Sequence, residues 1–190
     1  MHYKGFFSIL ITFFLALFII GCVTYDLSPK DEAWNPYEVG EKFTFVSDQG
    51  GERNFTISNI DKTKNRVNVY AGNLSRMKES LTVFATEDNT SEEVPILAIY
   101  KNSDDKSFIN FTLNLSAILG VNHVEEIPEA NAKLGNAAGF SGDDLLNINP
   151  VQNVGPGVEI PYVTNFIFSK SRGFVQFSLT NGEVWSLKQN

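Results

Sequence analysis

Phe174-Val175-Gln176-Phe177-Ser178-Leu179-Thr180-Asn181-Gly182-Glu183-Val184-Trp185-Ser186-Leu187-Lys188 decides the fold class, because an Asn-Gly turn separates two runs of alternating apolar and polar residues. A two-residue turn would set Trp185 opposite Ser178 and Leu187 opposite Gln176, leaving both faces of the hairpin mixed. A three-residue turn with Gly182 in the left-handed conformation instead pairs Leu179 with Glu183, Phe177 with Trp185 and Val175 with Leu187. That register gathers an apolar face and leaves Gln176, Ser178 and Ser186 on the other. A one-residue slip would move every side chain across the sheet, so burial selects the second register.

The same short rhythm extends outward from this hairpin. In 41–47, Phe43 and Phe45 fall on one side and Lys42 and Thr44 on the other; in 53–60, Phe55, Ile57 and Asn59 share a face, and Asp48-Gln49-Gly50-Gly51 turns one segment into the next. Further strands are expected at 66–71, 80–86, 94–101, 106–115, 162–169, 173–179 and 183–188. Long helical periodicity is missing. The expected fold is therefore all-β and predominantly antiparallel, a β-sandwich or a partly closed barrel of about nine strands. Residues 120–161, with Pro128, Pro150, Pro156 and Pro161, break the rhythm. Either 125–134 forms a short helix over one end of the sheet, or the stretch is a large loop before the last three strands.

The N-terminus has a different character. Lys4 precedes an apolar run from 6 to 20 in which only Ser8 and Thr12 are polar. As a helix the run is roughly 22 Å long, short of the roughly 30 Å of a hydrocarbon core, so it reads as the h-region of a signal peptide. It ends in Ile19-Ile20-Gly21-Cys22, which resembles the lipobox of bacterial lipoproteins. The resemblance implies alkylation of Cys22 by diacylglycerol and cleavage between Gly21 and Cys22. Chemically, a thiolate is the soft nucleophile that alkylation needs, and a small Gly21 admits a peptidase. Val23 in place of Asp after the cysteine implies outer-membrane delivery, at the periplasmic face or the cell surface. The chain thus divides into a signal peptide at 1–21, a lipidated N-terminus and flexible tether at 22–36, and a single β-rich domain at 37–190.

A second resemblance lies at the two ends of that domain. Phe166-Ile167-Phe168-Ser169-Lys170-Ser171-Arg172-Gly173-Phe174 followed by Gly182-Glu183-Val184-Trp185, and Tyr37-Glu38-Val39-Gly40 ahead of Phe43 and Phe45, are similar to the closing and opening strands of small uncharacterised lipoproteins of Bacteroidetes. The family implies a fold and a compartment and supplies no substrate.

Composition bounds the chemistry. The formal net charge of −7 and the scattering of basic residues argue against nucleic acid. An acidic body is also expected to be repelled by an anionic membrane, leaving attachment to the lipid on Cys22. With that one cysteine committed, disulfides, cysteine-rich zinc sites and thiol catalysis are excluded. His123, the one histidine outside the signal segment, reads as a surface-loop residue near Glu125 and Glu126. The acidic pairs at 92–93, 104–105, 125–126 and 143–144 read as solvated turns. Ser141-Gly142-Asp143-Asp144 and Asn147 hold oxygens without an EF-hand spacing, and Gly155-Pro156-Gly157 reads as a turn. No catalytic, metal or cofactor site is expected, and the chain is not expected to be an enzyme. Trp34 and Tyr37, at the entrance of the domain, are the candidate ligand or partner contacts. Three functions stay open: a structural or interaction module of the cell envelope with a protein partner, a carrier holding a lipid or other small hydrophobe in a β-cavity, and a surface glycan-binding accessory.

Overall fold

The computed structural model describes residues 23–68, 75–88, 90–115, 118–137, 140–151 and 159–188; Gly21, Cys22, the signal segment and Gly155-Pro156-Gly157 lie outside them. The chain is all-β. Its strands are β1 (Val23–Tyr25), β2 (Lys42–Ser47), β3 (Glu52–Asn68), β4 (Ser75–Glu87), β5 (Glu93–Lys101), β6 (Ser107–Leu115), β7 (Ile118–Glu126), β8 (Gly135–Ala137), β9 (Phe140–Ile148), β10 (Val163–Ser169), β11 (Gly173–Leu179) and β12 (Val184–Leu187). Two short helices, α1 (Pro29–Glu32) and α2 (Ile127–Ala132), complete the elements among the described residues.

All twelve strands belong to one sheet, ordered β7-β6-β5-β4-β3-β2-β12-β11-β10-β9-β8, with β1 added beside β4. The chain makes two antiparallel meanders, β2 to β7 and β8 to β12, joined where β12 pairs with β2 through Trp185 opposite Ser47. The two free edges, β7 and β8, are consecutive in sequence, and α2 connects them. The sheet curls into an open half-barrel. In it the β6 and β7 side closes over β10 and β11: Phe111 stands 5.4 Å from Phe166 and 4.9 Å from Phe168, ring centre to ring centre.

The concave side is filled by side chains. Phe45, Phe111, Phe166, Phe168 and Phe177 are fully buried, together with Ile57, Leu97, Ile99 and Ile109 from the opposite strands. Each such side chain contributes roughly 1.5 to 3 kcal/mol on leaving water, and offset and edge-on ring pairs add about 0.5 to 1.5 kcal/mol each. Phe43 stacks on Phe55 at 5.3 Å and Phe45 meets Phe177 edge-on at 5.1 Å, which ties the first hairpin to the last.

The C-terminal hairpin adopts the register that burial selects. Phe177 pairs with Trp185 and Gln176 with Ser186. The Leu179 amide donates to the Glu183 carbonyl at 2.9 Å, and Gly182 has φ +86°. One expectation fails: Val175 does not share the face of Phe177. A bulge between Ile167 and Phe168 in the β10–β11 ladder leaves Val175 unpaired, and it packs with Leu145 and Ile167 in a small separate cluster. Phe174 takes the inward place instead. A second bulge has the same effect on β3, where Ser58 is skipped in the pairing with β4. Asn59, expected beside Phe55 and Ile57, is exposed, and Ile60 packs on the core. An extra residue reverses the alternation beyond it, which a strict two-residue period does not anticipate.

The strand count also differs from about nine. The segments expected at 53–60 and 66–71 fall on one long strand, β3, as far as Asn68, with 69–71 outside the described residues, and β1, β7, β8 and β9 arise where none was drawn. The stretch from 120 to 161 is mostly the end of β7, α2, β8 and β9, so both alternatives were incomplete. The helix exists, with Ile127 and Ala130 buried, but strands flank it.

Candidate membrane-proximal end

Residues 23–36, expected to be a tether, are folded onto the body. β1 runs parallel to β4, with Val23 opposite Arg76, Thr24 opposite Met77 and Tyr25 opposite Lys78. It fits there because β5 pairs with β4 only from Ser80 to Thr86, leaving the edge of the preceding β4 residues for β1. The Leu27 amide then donates to the buried Glu79 carboxylate at 2.7 Å, and the Leu27 side chain enters the core. Ser28 caps α1 with a reciprocal box: its hydroxyl accepts from the Asp31 amide, and the Asp31 carboxylate accepts from the Ser28 amide at 2.9 Å. Burial opposes ionisation of Asp31, yet its bonds from Ser28 and the Lys101 ammonium at 3.7 Å hold its carboxyl below the usual range. Lys62 bridges Glu32 at 2.7 Å and Lys64 bridges Asp26 at 2.7 Å, pinning the segment to β3.

Trp34 and Tyr37, the expected contact residues, are corrected by this packing: their relative exposures are 0% and 5%, so neither offers a surface to a sugar or a partner. Trp34 stacks on Phe168 with 6.4 Å between ring centres, and the Lys170 ammonium sits 4.9 Å above its ring. The Tyr37 hydroxyl accepts a 2.9 Å hydrogen bond from the Phe174 amide, and burial pushes its pKa well above the ordinary tyrosine range. A Cβ on Gly173 would lie 2.0 Å from that hydroxyl oxygen, and Gly173 also has φ +81°. Glycine is required there twice over.

The alternate turns of a meander fall at opposite ends of the strands, and the two ends differ in charge. The end that receives β1 mixes both signs: Lys62, Lys64, Arg66, Arg76 and Lys78 on the β3–β4 hairpin, Lys170 and Arg172 on the β10–β11 turn and Lys42 at the start of β2 stand with Asp104 and Asp105 on the β5–β6 turn, Glu125 and Glu126 at the end of β7, and Asp143 and Asp144 beside the β10–β11 turn. The opposite end carries Asp48, Glu52, Glu87, Asp88, Glu92, Glu93 and Glu183 on the β2–β3, β4–β5 and β11–β12 turns. The cations nearest those acids, Arg53 and Lys188, are bridged to Glu87 at 2.7 Å and to Glu52 at 2.9 Å. The acidic net charge is thus unevenly placed, concentrated at the end away from β1.

Two other clusters bring polar side chains together. His123 is on β7 and not in a loop; its Nε2 lies 2.9 Å from Glu125, which also accepts from Lys133 at 2.7 Å, and its ring meets Phe166 edge-on. Burial works against the Glu125 charge, but the bonds from Lys133 and His123 hold its pKa below the usual range. This cluster latches α2's end to the β7 edge. It was missed in the sequence because the alternation that places His123 and Glu125 on one face lay in a stretch read as irregular. The oxygens around Asp143 and Asp144 are likewise structural. Asp144 accepts from the Ser169 and Ser171 hydroxyls and the Ser171 amide, which hold its carboxyl below its usual pKa, and Asn147 pairs with Asn165. A cleft of about 380 Å³ has Lys42, Arg172, Lys188 and Glu41 on its rim, with Phe43 and Leu187 beneath.

Among the described residues no helix is long and apolar enough to cross a membrane, and no group of His, Cys, Asp and Glu is placed to hold a metal ion. No family model, curated protein or solved structure matches the chain.

Proposed function

We propose that this chain is a lipid-anchored cell-envelope lipoprotein whose β-domain acts as a non-enzymatic structural or interaction module, held by diacylglycerol on Cys22 after cleavage behind Gly21. The supporting observation is the docking of β1. Val23, the residue after Cys22, is already part of the sheet, paired opposite Arg76. An anchor on Cys22 therefore leaves about one Cα step, roughly 3.8 Å, between lipid and folded body. The body is carried against the bilayer in a fixed orientation, which suits a module that presents one end to the membrane and the other to the compartment beyond. Outer-membrane placement follows the same reading, from Val23 in the position where Asp would direct retention.

The packed concave face favours this reading over a carrier, because the space a hydrophobe would occupy holds Phe111, Phe166, Phe168 and Phe174 in mutual contact. Buried Trp34 and Tyr37 remove the aromatic platform on which glycan binding rested. Replacing Cys22 by Ser tests the proposal: membrane fractionation of the producing cells should show the protein leaving the membrane pellet or accumulating unprocessed. An unchanged processed, membrane-bound species would refute lipid anchoring.

A further inference from the structure

We propose that the β3–β4 hairpin is a docking surface for the phosphate-bearing headgroups of an anionic bilayer. The proposal takes its geometry from the lipid-anchored reading, but its charge pattern stands apart from it. From Lys62 to Lys78 the sequence carries five cations and no acidic residue, in a chain with a formal net charge of −7. The hairpin extends past β5: β4 loses β5 as a neighbour at Ser80, has the short β1 beside it from Lys78 to Arg76, and continues back to Ser75, a span of roughly 17 Å at about 3.3 Å per residue.

The register places the charges on both sides of this ribbon. Directly opposed residues share a face, so Lys64 and Arg66 lie with Glu79 and Met77, whereas Arg76 and Lys78 lie with Asn65 on the other. Lys64 and Lys62 are partly neutralised by Asp26, Glu32 and Glu79. Arg66 and Arg76 are exposed and enter no ion pair among the described residues; Arg76 lies over the Tyr25 ring at 5.7 Å and Lys78 bonds Asn102 at 2.8 Å. Cations around both faces suit a ribbon standing end-on in a headgroup layer, where phosphates surround it. A ribbon lying flat would need them on one face. Val23 opposite Arg76 puts the anchor at this same end, and the acidic β2–β3, β4–β5 and β11–β12 turns face away from it, while Asp104 and Asp105 lie on the β5–β6 turn beside the hairpin. Each basic residue near such a surface is worth roughly fivefold in binding, so Arg66, Arg76 and Lys78 together shift the docked population by about a hundredfold.

The test uses the full chain purified from its own envelope and reconstituted into vesicles of phosphatidylcholine, with or without about one-third phosphatidylglycerol. Cys22 is the one native cysteine, so a fluorophore can be placed through Asn65→Cys beside the basic residues or through Gln49→Cys at the acidic end. A headgroup-linked quencher should quench the Asn65 label several-fold more than the Gln49 label in phosphatidylglycerol vesicles. The difference should shrink in phosphatidylcholine alone, in about 1 M salt, where the screening length falls to ~3 Å, and in an Arg66→Glu, Arg76→Glu, Lys78→Glu variant with an unchanged far-end spectrum. Equal quenching at both positions, or a difference indifferent to lipid charge and salt, overturns the proposal. Mass spectrometry of the same sample separates the two readings. An unmodified Cys22 sinks the anchor, and the labels are then placed in a Cys22→Ser chain, where selective Asn65 quenching still supports the docking surface; an acylated Cys22 with equal quenching does the reverse.

Discussion

Tyr37 reaches across 137 residues to the Phe174 amide, and Gly173 beside it has no room for a methyl group. Tyr37→Phe leaves a buried amide without its acceptor and is expected to lower stability by about 1 to 3 kcal/mol. Gly173→Ala combines a left-handed backbone with a collision against the ring and should cost roughly 2 to 5 kcal/mol. Urea denaturation checks both, and a near-neutral Gly173→Ala would mean that Tyr37 has an alternative seat. The sequence marked Tyr37 as an aromatic at the domain entrance; its burial depends on a partner far along the chain, which no local pattern encodes. Trp34 is the same case, its ring covered by Phe168 and Lys170.

The turn between β10 and β11 is organised by Asp144 on β9. Hydrogen bonds from Ser171 and Ser169 depress its pKa below 3.8, so its stabilising contribution is fully present above that pH and is lost as pH falls through the folded value. Asp144→Asn should therefore be destabilised against the parent at pH 7, with the gap narrowing below about pH 3.8; a gap constant with pH would exclude the ionised carboxylate as the organiser. The N-terminal segment is a second element with its own test. Glu79→Ala strands the Leu27 amide and removes the second carboxylate near Lys62 and Lys64, which keep Glu32 and Asp26. Limited proteolysis should then cut ahead of Trp34 several-fold faster, and an unchanged cleavage pattern would mean that β1 alone holds the segment. Strand identity was legible where alternation was unbroken, as in β12 and β2. It was misread at the bulges of Ser58 and Val175 and in β1, whose three residues pair only because β5 is absent there.

On the scale of the whole molecule, the sequence carried the all-β class, with a partly closed barrel as one of its two architectures, because hairpin turns and aromatic alternation recur along the chain. It did not reveal which end is the more acidic, since acids and bases are interleaved in sequence and the excess of acids emerges only when the meander gathers alternate turns at one end. Nor did proline content foretell that the stretch from 120 to 148 holds the edge strands β7 and β8, and β9 beside the latter. Fold and proposed role meet at the N-terminus, where the sheet begins one residue after the cysteine. Intact mass spectrometry of the protein extracted from its envelope is the most direct test. A species beginning at Cys22 and bearing a diacylglyceryl group is expected; a chain that retains residues 1–21, or begins elsewhere with an unmodified thiol, contradicts anchoring at this end.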